Sequence, residues 1–156
     1  ELTFYLARPD PEQGMAAPVS GTVTIPPHMQ EVLLVFLPED IENRRFRITA
    51  LDLSAKTFPA NNLQVFNLSS ADLYVRVGES PIEVKSRGRQ LIPVAEPRRS
   101  YRVSVVGRDQ TTDGWRIFYN GYQRPLHNQR IMCFITDDPL QAGRYSVRFM
   151  PLRITR

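Results

Sequence analysis

Apolar residues recur at every second position along most of this chain, in short runs broken by proline, glycine, asparagine and aspartate. Side chains of an extended strand alternate between two faces, so this pattern buries one face and leaves the other to water. The stretch Asn61 to Gly78 shows it most plainly: two alternating runs flank Ser69-Ser70-Ala71-Asp72 and read as a β-hairpin, with Leu73, Val75 and Val77 inward and Asp72, Tyr74 and Arg76 outward.

Further strands are expected at Leu2–Ala7, Ser20–Ile25, Pro81–Lys85 and Gln90–Val94, and through Tyr101, Val103 and Val105. Trp115–Tyr122, Arg130–Thr136 and a closing strand through Tyr145, Val147 and Phe149 follow. Val32–Leu37 is continuously apolar and reads as a central strand covered on both faces. The segment Pro38–Asn43 suits one helical turn, and the phase slip at Leu51 and Leu53 suits a β-bulge. Pro151 marks an edge position in the last strand. Arg8–Gly14, with two prolines and a glycine, reads as a loop.

No segment carries helical spacing long enough for an amphipathic helix. The expectation is an all-β fold: an antiparallel β-sandwich of about ten to twelve strands, immunoglobulin-like or jelly-roll-like, formed by one domain over residues 1–156. That length can bury a sizeable core without disulfides or metal. The longest unbroken apolar run, Val32–Leu37, falls far short of the roughly 18 to 20 residues a spanning helix needs. The numbering opens at Glu1 without a Met, so a leader is expected to have been removed, and a periplasmic or secreted location is the corresponding expectation.

Charge is unevenly spread. Arginine supplies 18 of the 20 basic residues; residues 1–75 hold 5 basic against 9 acidic groups, and residues 76–156 hold 15 against 7. Arginine favours forked contact with carboxylate, phosphate or sulfate, which makes Arg87, Arg89, Arg98 and Arg99 anion-binding candidates. Placed at two ends of one strand, they do not form the single basic face with interleaved aromatics that nucleic acid asks for, and no nucleic-acid partner is expected.

Catalytic and metal patterns fare poorly. A copper site needs a thiolate and two imidazoles converging from neighbouring loops. Cys133 instead shares an apolar strand face with Ile131 and Ile135, and no histidine follows it. No metal or cofactor is expected. There is no Gly-x-Ser-x-Gly elbow, His28 and His127 fall in turns, and Asp137-Asp138 fits turn chemistry better than a paired-carboxylate site. Asn67-Leu68-Ser69 matches a glycosylation pattern, with turn chemistry as the competing reading.

The most informative stretch is Trp115 to Arg124. In unbroken alternation Trp115, Ile117 and Tyr119 share one side, and Arg116, Phe118, Asn120 and Tyr122 the other. Aromatic residues on both faces make Trp115, Arg116, Tyr119, Tyr122 and Arg124 candidates for a platform that meets sugar rings or a partner chain. A core strand whose Trp packs between sheets is the competing reading.

Phe58-Pro59, Phe66-Asn67-Leu68-Ser69, Val77-Gly78, Gly114-Trp115 and Asn128-Gln129-Arg130-Ile131 together resemble a group of secreted bacterial all-β domains of unassigned function, over roughly residues 31 to 154. That resemblance implies export and a sandwich, and brings no catalytic or binding residue. The function expected is a non-catalytic binding or structural module, its partner a protein or an envelope polysaccharide. A carbohydrate-binding module using the aromatic strand is the first alternative and an enzyme the second. The sequence leaves oligomeric state open.

Overall fold

Twelve strands make up all the regular structure among the described residues of the computed structural model, which are 1–6, 18–94, 100–109, 114–124, 129–138 and 140–153. In chain order they are β1 (Leu2–Tyr5), β2 (Val19–Val23), β3 (Val32–Asp40), β4 (Arg45–Asp52), β5 (Asn62–Asn67) and β6 (Leu73–Val77). Then come β7 (Ser80–Val84), β8 (Arg89–Pro93), β9 (Tyr101–Arg108), β10 (Trp115–Gln123), β11 (Gln129–Asp137) and β12 (Tyr145–Arg153). The chain divides into two compact units, Glu1–Thr57 and Phe58–Arg156.

The first unit holds two two-stranded antiparallel sheets, β1-β2 and β3-β4. Val32–Leu37 therefore lies in a two-stranded ribbon and not in the middle of a sheet. Its residues are half-buried and Phe36 is exposed, its ring set edge-on to Phe4 at 5.0 Å and to Phe46 at 6.2 Å. A continuous apolar run suits a strand covered on both faces, but it suits a ribbon that packs rings on one face equally well. The helical turn expected at Pro38–Asn43 is absent. β3 runs on to Asp40 with a register shift between Pro38 and Asp40, and Arg44 at φ 51° closes a tight turn into β4. The phase slip at Leu51 and Leu53 is a strand end, not a bulge. Asp52 accepts from the Ser54 amide at 2.9 Å and the Thr57 hydroxyl at 2.7 Å, ending β4 in a side-chain-closed turn.

The second unit is built from two four-stranded sheets, in the orders β12-β11-β5-β8 and β10-β9-β6-β7. One core cluster draws Leu63, Val65, Ile92, Ile131, Cys133 and Ile135 from the first sheet and Leu73, Val75, Val84, Val103 and Val105 from the second. Each of these positions falls on the inward phase of its strand. Every pairing in the unit is antiparallel except β5 with β11, which is parallel. β5 and β11 are buried along nearly all their length, the mark of central strands. Pro151 lies in the edge strand β12, opposite Ile131, the position in a sheet where proline is tolerated.

The expected hairpin at Asn61–Gly78 does not form. β5 and β6 belong to different sheets, and the link between them crosses from one layer to the other. Both arrangements bury the same alternate side chains, so the periodicity does not distinguish them. What selects the crossing is Asn67. It is fully buried, and its Nδ2 donates to the carbonyls of Ala71 at 2.8 Å and Val84 at 2.9 Å. Its Oδ1 accepts from the Ser69 hydroxyl at 2.6 Å and the Ser69 amide at 3.2 Å. Asn67 thus does turn chemistry.

Candidate functional site

Regular alternation along β10 is broken once. Ile117 stands opposite Val106 and Tyr119 opposite Val105, so Phe118 is an extra residue on β10. A bulge of this kind shifts the phase of everything after it. Phe118 and Tyr119 consequently both face the core, against Tyr145 at 4.6 Å and Phe149 at 5.2 Å. The outward face of β10 then carries Trp115, Ile117, Asn120 and Tyr122. Two glycines make room for the inward rings. A Cβ on Gly107 would come within 2.6 Å of Leu73 and 3.2 Å of Phe118, and one on Gly121 would collide with the Tyr119 ring lying along its own strand.

Outward residues of three adjacent strands form a lattice fixed by the register. Arg76 of β6, Ser104 of β9 and Asn120 of β10 lie in one cross-strand row. Tyr74, Val106 and Ile117 form the next, and Arg102 pairs with Tyr122 on the other side. Trp115 is 58% exposed and Tyr122 72%. The Trp115 ring stands edge-on to Tyr74 at 5.2 Å, with the Arg108 guanidinium 4.9 Å from its centroid. Arg102 Nε donates to Asn120 Oδ1 at 2.7 Å, and Arg76 Nε donates to the Gly78 carbonyl at 3.0 Å.

Two depressions open on this face. One of about 470 Å³ is lined by Tyr74, Arg76, Pro81, Val106 and Trp115. The other, about 170 Å³, is lined by Arg76, Gly78, Arg102, Ser104, Val106 and Ile117. They share Arg76 and Val106, so they form one groove with an apolar end and a cationic end. The Tyr74 end is closed by charge pairs: the Tyr74 hydroxyl donates to Glu83 at 3.3 Å, and Lys85 bridges Glu83 and Asp72, each at 2.9 Å. The Glu83 and Asp72 carboxylates hold the Lys85 ammonium well above its ordinary range, and the Ser86 amide and Lys85 hold Asp72 below its own.

Of the residues singled out from sequence, Trp115 and Tyr122 lie on this face, while Tyr119 lies on the inward one. Arg116 is on the inward phase too, its guanidinium 3.2 Å from Asp109 and 5.9 Å from the Phe118 ring centroid. Arg124 is exposed just past the end of β10. Arg87 sits at φ 57° in the β7–β8 turn and Arg89 opens β8, in the other sheet. Arg98, Arg99 and His127 lie outside the described residues, as does the loop expected at Arg8–Gly14. Tyr74, Arg76 and Ser104 were not singled out, although alternation already set Tyr74 and Arg76 outward. The strand order β10-β9-β6 brings them beside Trp115.

Cys133 is fully buried in the core, and burial pushes its thiol up to about 12. His28 is exposed in the turn after Pro27. Its charge contributes weakly to lowering Asp52, whose carboxyl is held down first by the Thr57 hydroxyl and the Ser54 amide. Among the described residues no three His, Cys, Asp or Glu side chains gather as metal ligands, and no helix is long and apolar enough to cross a membrane.

Fold and face together define an all-β chain carrying an eight-stranded sandwich with an aromatic and arginine-rich outer sheet surface. No family model, no curated protein and no solved structure matches the chain.

Proposed function

We propose that the chain is a non-catalytic binding module and that its ligand, a carbohydrate, lies across the outward face of the β10-β9-β6-β7 sheet. The observation that carries this reading is the exposed Trp115 ring, braced by Tyr74 and Arg108 at one end of a groove lined by the apolar Val106 and by Arg76, Arg102 and Ser104, with Asn120 holding Arg102. A flat sheet face with aromatic rings offers stacking area at little entropic cost, because each ring is fixed by few rotatable bonds. Neighbouring Arg and Asn side chains supply donors for hydroxyl groups.

The test is retention of the protein on insoluble polysaccharides and on a glycan array, with Trp115→Ala and Tyr122→Ala alongside. Binding that is lost in Trp115→Ala supports the reading; the same glycan profile in both variants and the parent removes this face from consideration. A protein partner is the second reading, favoured by β10 being an edge strand with Ile117 59% exposed.

A further inference from the structure

The cationic end of the groove has a feature that a neutral sugar does not need. Arg76 and Arg102 flank the Ser104 hydroxyl from two adjacent antiparallel strands, and both line the 170 Å³ depression. Each guanidinium is fixed through its Nε, Arg76 on the Gly78 carbonyl and Arg102 on Asn120. A guanidinium has five N–H donors, so the terminal nitrogens of both remain to meet a ligand. Neither arginine pairs with a carboxylate among the described residues, whereas Arg116 on β10 and Lys85 just after β7 both do. Both exposed guanidiniums line the same depression, so positive charge gathers there and an anion is attracted to it.

We propose, building on the carbohydrate reading above, that this groove takes an acidic polysaccharide of the uronate class, with one sugar ring against Trp115 and Val106 and the carboxylate of a sugar further along the same chain between Arg76 and Arg102. Guanidinium forks match the planar carboxylate in bidentate geometry. A peptide ligand would be expected to add along the open edge of β10, where unpaired backbone groups lie, and not across the face.

The experiment is affinity electrophoresis of the full chain in gels containing polygalacturonate, dextran sulfate, neutral dextran or polyglutamate, with melting temperatures recorded for every variant. Polygalacturonate should retard the parent, with affinity falling as salt is raised. Arg76→Gln and Arg102→Gln should each weaken it by about tenfold or more and the double variant should abolish it, while Arg144→Gln, in the exposed turn before β12, should leave it unchanged. All of these positions are at the surface, so unchanged melting temperatures separate loss of binding from loss of fold. Retardation by dextran that Trp115→Ala abolishes and the arginine variants leave intact would overturn the uronate assignment while keeping the carbohydrate face. Preference for dextran sulfate or polyglutamate over polygalacturonate would overturn it in favour of a sulfated glycan or an acidic peptide. Retardation by none of the four overturns the uronate assignment, and a blank glycan array as well takes the carbohydrate reading with it.

Discussion

Phe118 and Tyr119 are adjacent in the chain, yet both rings enter the same core, Phe118 against Tyr145 and Tyr119 against Phe149. Only an extra residue in the strand permits this, since neighbours on a regular strand point apart. The bulge therefore divides the aromatic residues of β10 into two groups with different work: Phe118 and Tyr119 hold the sheets together, and Trp115 and Tyr122 are left outside.

The first prediction separates the groups by stability. Tyr119→Ala removes a ring packed on Phe149 and a hydroxyl that accepts from Gln123 Nε2 at 3.0 Å. It should cost about 3 kcal/mol, in the range for truncating a core aromatic. Trp115→Ala and Tyr122→Ala should each stay within about 1 kcal/mol, as exposed substitutions do. Urea titration of the three variants checks it; a Trp115→Ala loss as large as that of Tyr119→Ala would mean Trp115 is a core residue.

Period-two alternation was enough to read the inward residues of the second unit's strands, though not the course of β3 in the first, because burial on one face leaves a trace in a short window. Leu73 with Val75, Val103 with Val105, and Ile131, Cys133 and Ile135 all stand where it put them. It was blind to partnership, since a strand that turns back beside its predecessor and one that crosses to the facing sheet bury the same positions. β5 and β6 are the case in point. The β10 bulge was hidden for a related reason: with aromatic residues at Trp115, Phe118, Tyr119 and Tyr122, either phase looks apolar. Hence Tyr119 read as a companion of Trp115, and of the arginines near Trp115 only Arg76 comes from a strand distant in sequence, Arg108 lying on the preceding strand.

The second prediction concerns the crossing itself. Asn67 satisfies two backbone carbonyls and orients Ser69 from a fully buried position, and the linked turn is tied to β11 by Asp137, which accepts from the Ser70 amide at 3.0 Å and hydroxyl at 3.1 Å. Asn67→Ala removes the amide donated to the Ala71 and Val84 carbonyls and the oxygen that accepts from Ser69, and should destabilise by about 2 to 4 kcal/mol. Asn67→Asp, which keeps the shape but replaces the donating amide with an oxygen facing two carbonyls, should do no better. Thermal melts of both variants decide; an unchanged Asp variant would show that the donors do not matter.

The third prediction addresses folding units. Every member of the buried core cluster lies between Leu63 and Tyr145, within the unit Phe58–Arg156. A chain of residues 58–156 should fold alone with a single cooperative transition and sheet-type circular dichroism, as a unit with its own core does. If that fragment is unfolded while residues 1–156 are folded, the single-domain expectation for the whole chain is the better description.

The fourth follows from two buried acids in the core. Burial pushes the Cys133 thiol from 9.0 and the Tyr101 hydroxyl from 10.0, each up to about 12. A raised native value means the folded chain keeps a proton that the unfolded chain releases, so the contribution is whole below about pH 9 and is lost as pH climbs toward 12. Stability should fall between about pH 9 and pH 11, with a slope approaching ~1.4 kcal/mol per pH unit for the Cys133 thiol once its unfolded value is passed, and a shallower one for the Tyr101 hydroxyl, which solvent screens in part. Tyr101→Phe should flatten the curve above about pH 10, and it should not weaken the fold at neutral pH, because the hydroxyl is buried with no hydrogen-bond partner among the described residues. Cys133→Ala should flatten it from about pH 9, at the expense of a small cavity. Urea midpoints across this range test both, and a thiol reagent should label Cys133 only as the chain unfolds. A parent protein whose midpoint does not move from pH 9 to pH 11, or a thiol that reacts in the folded state, would show that the two groups are not held in the core as described.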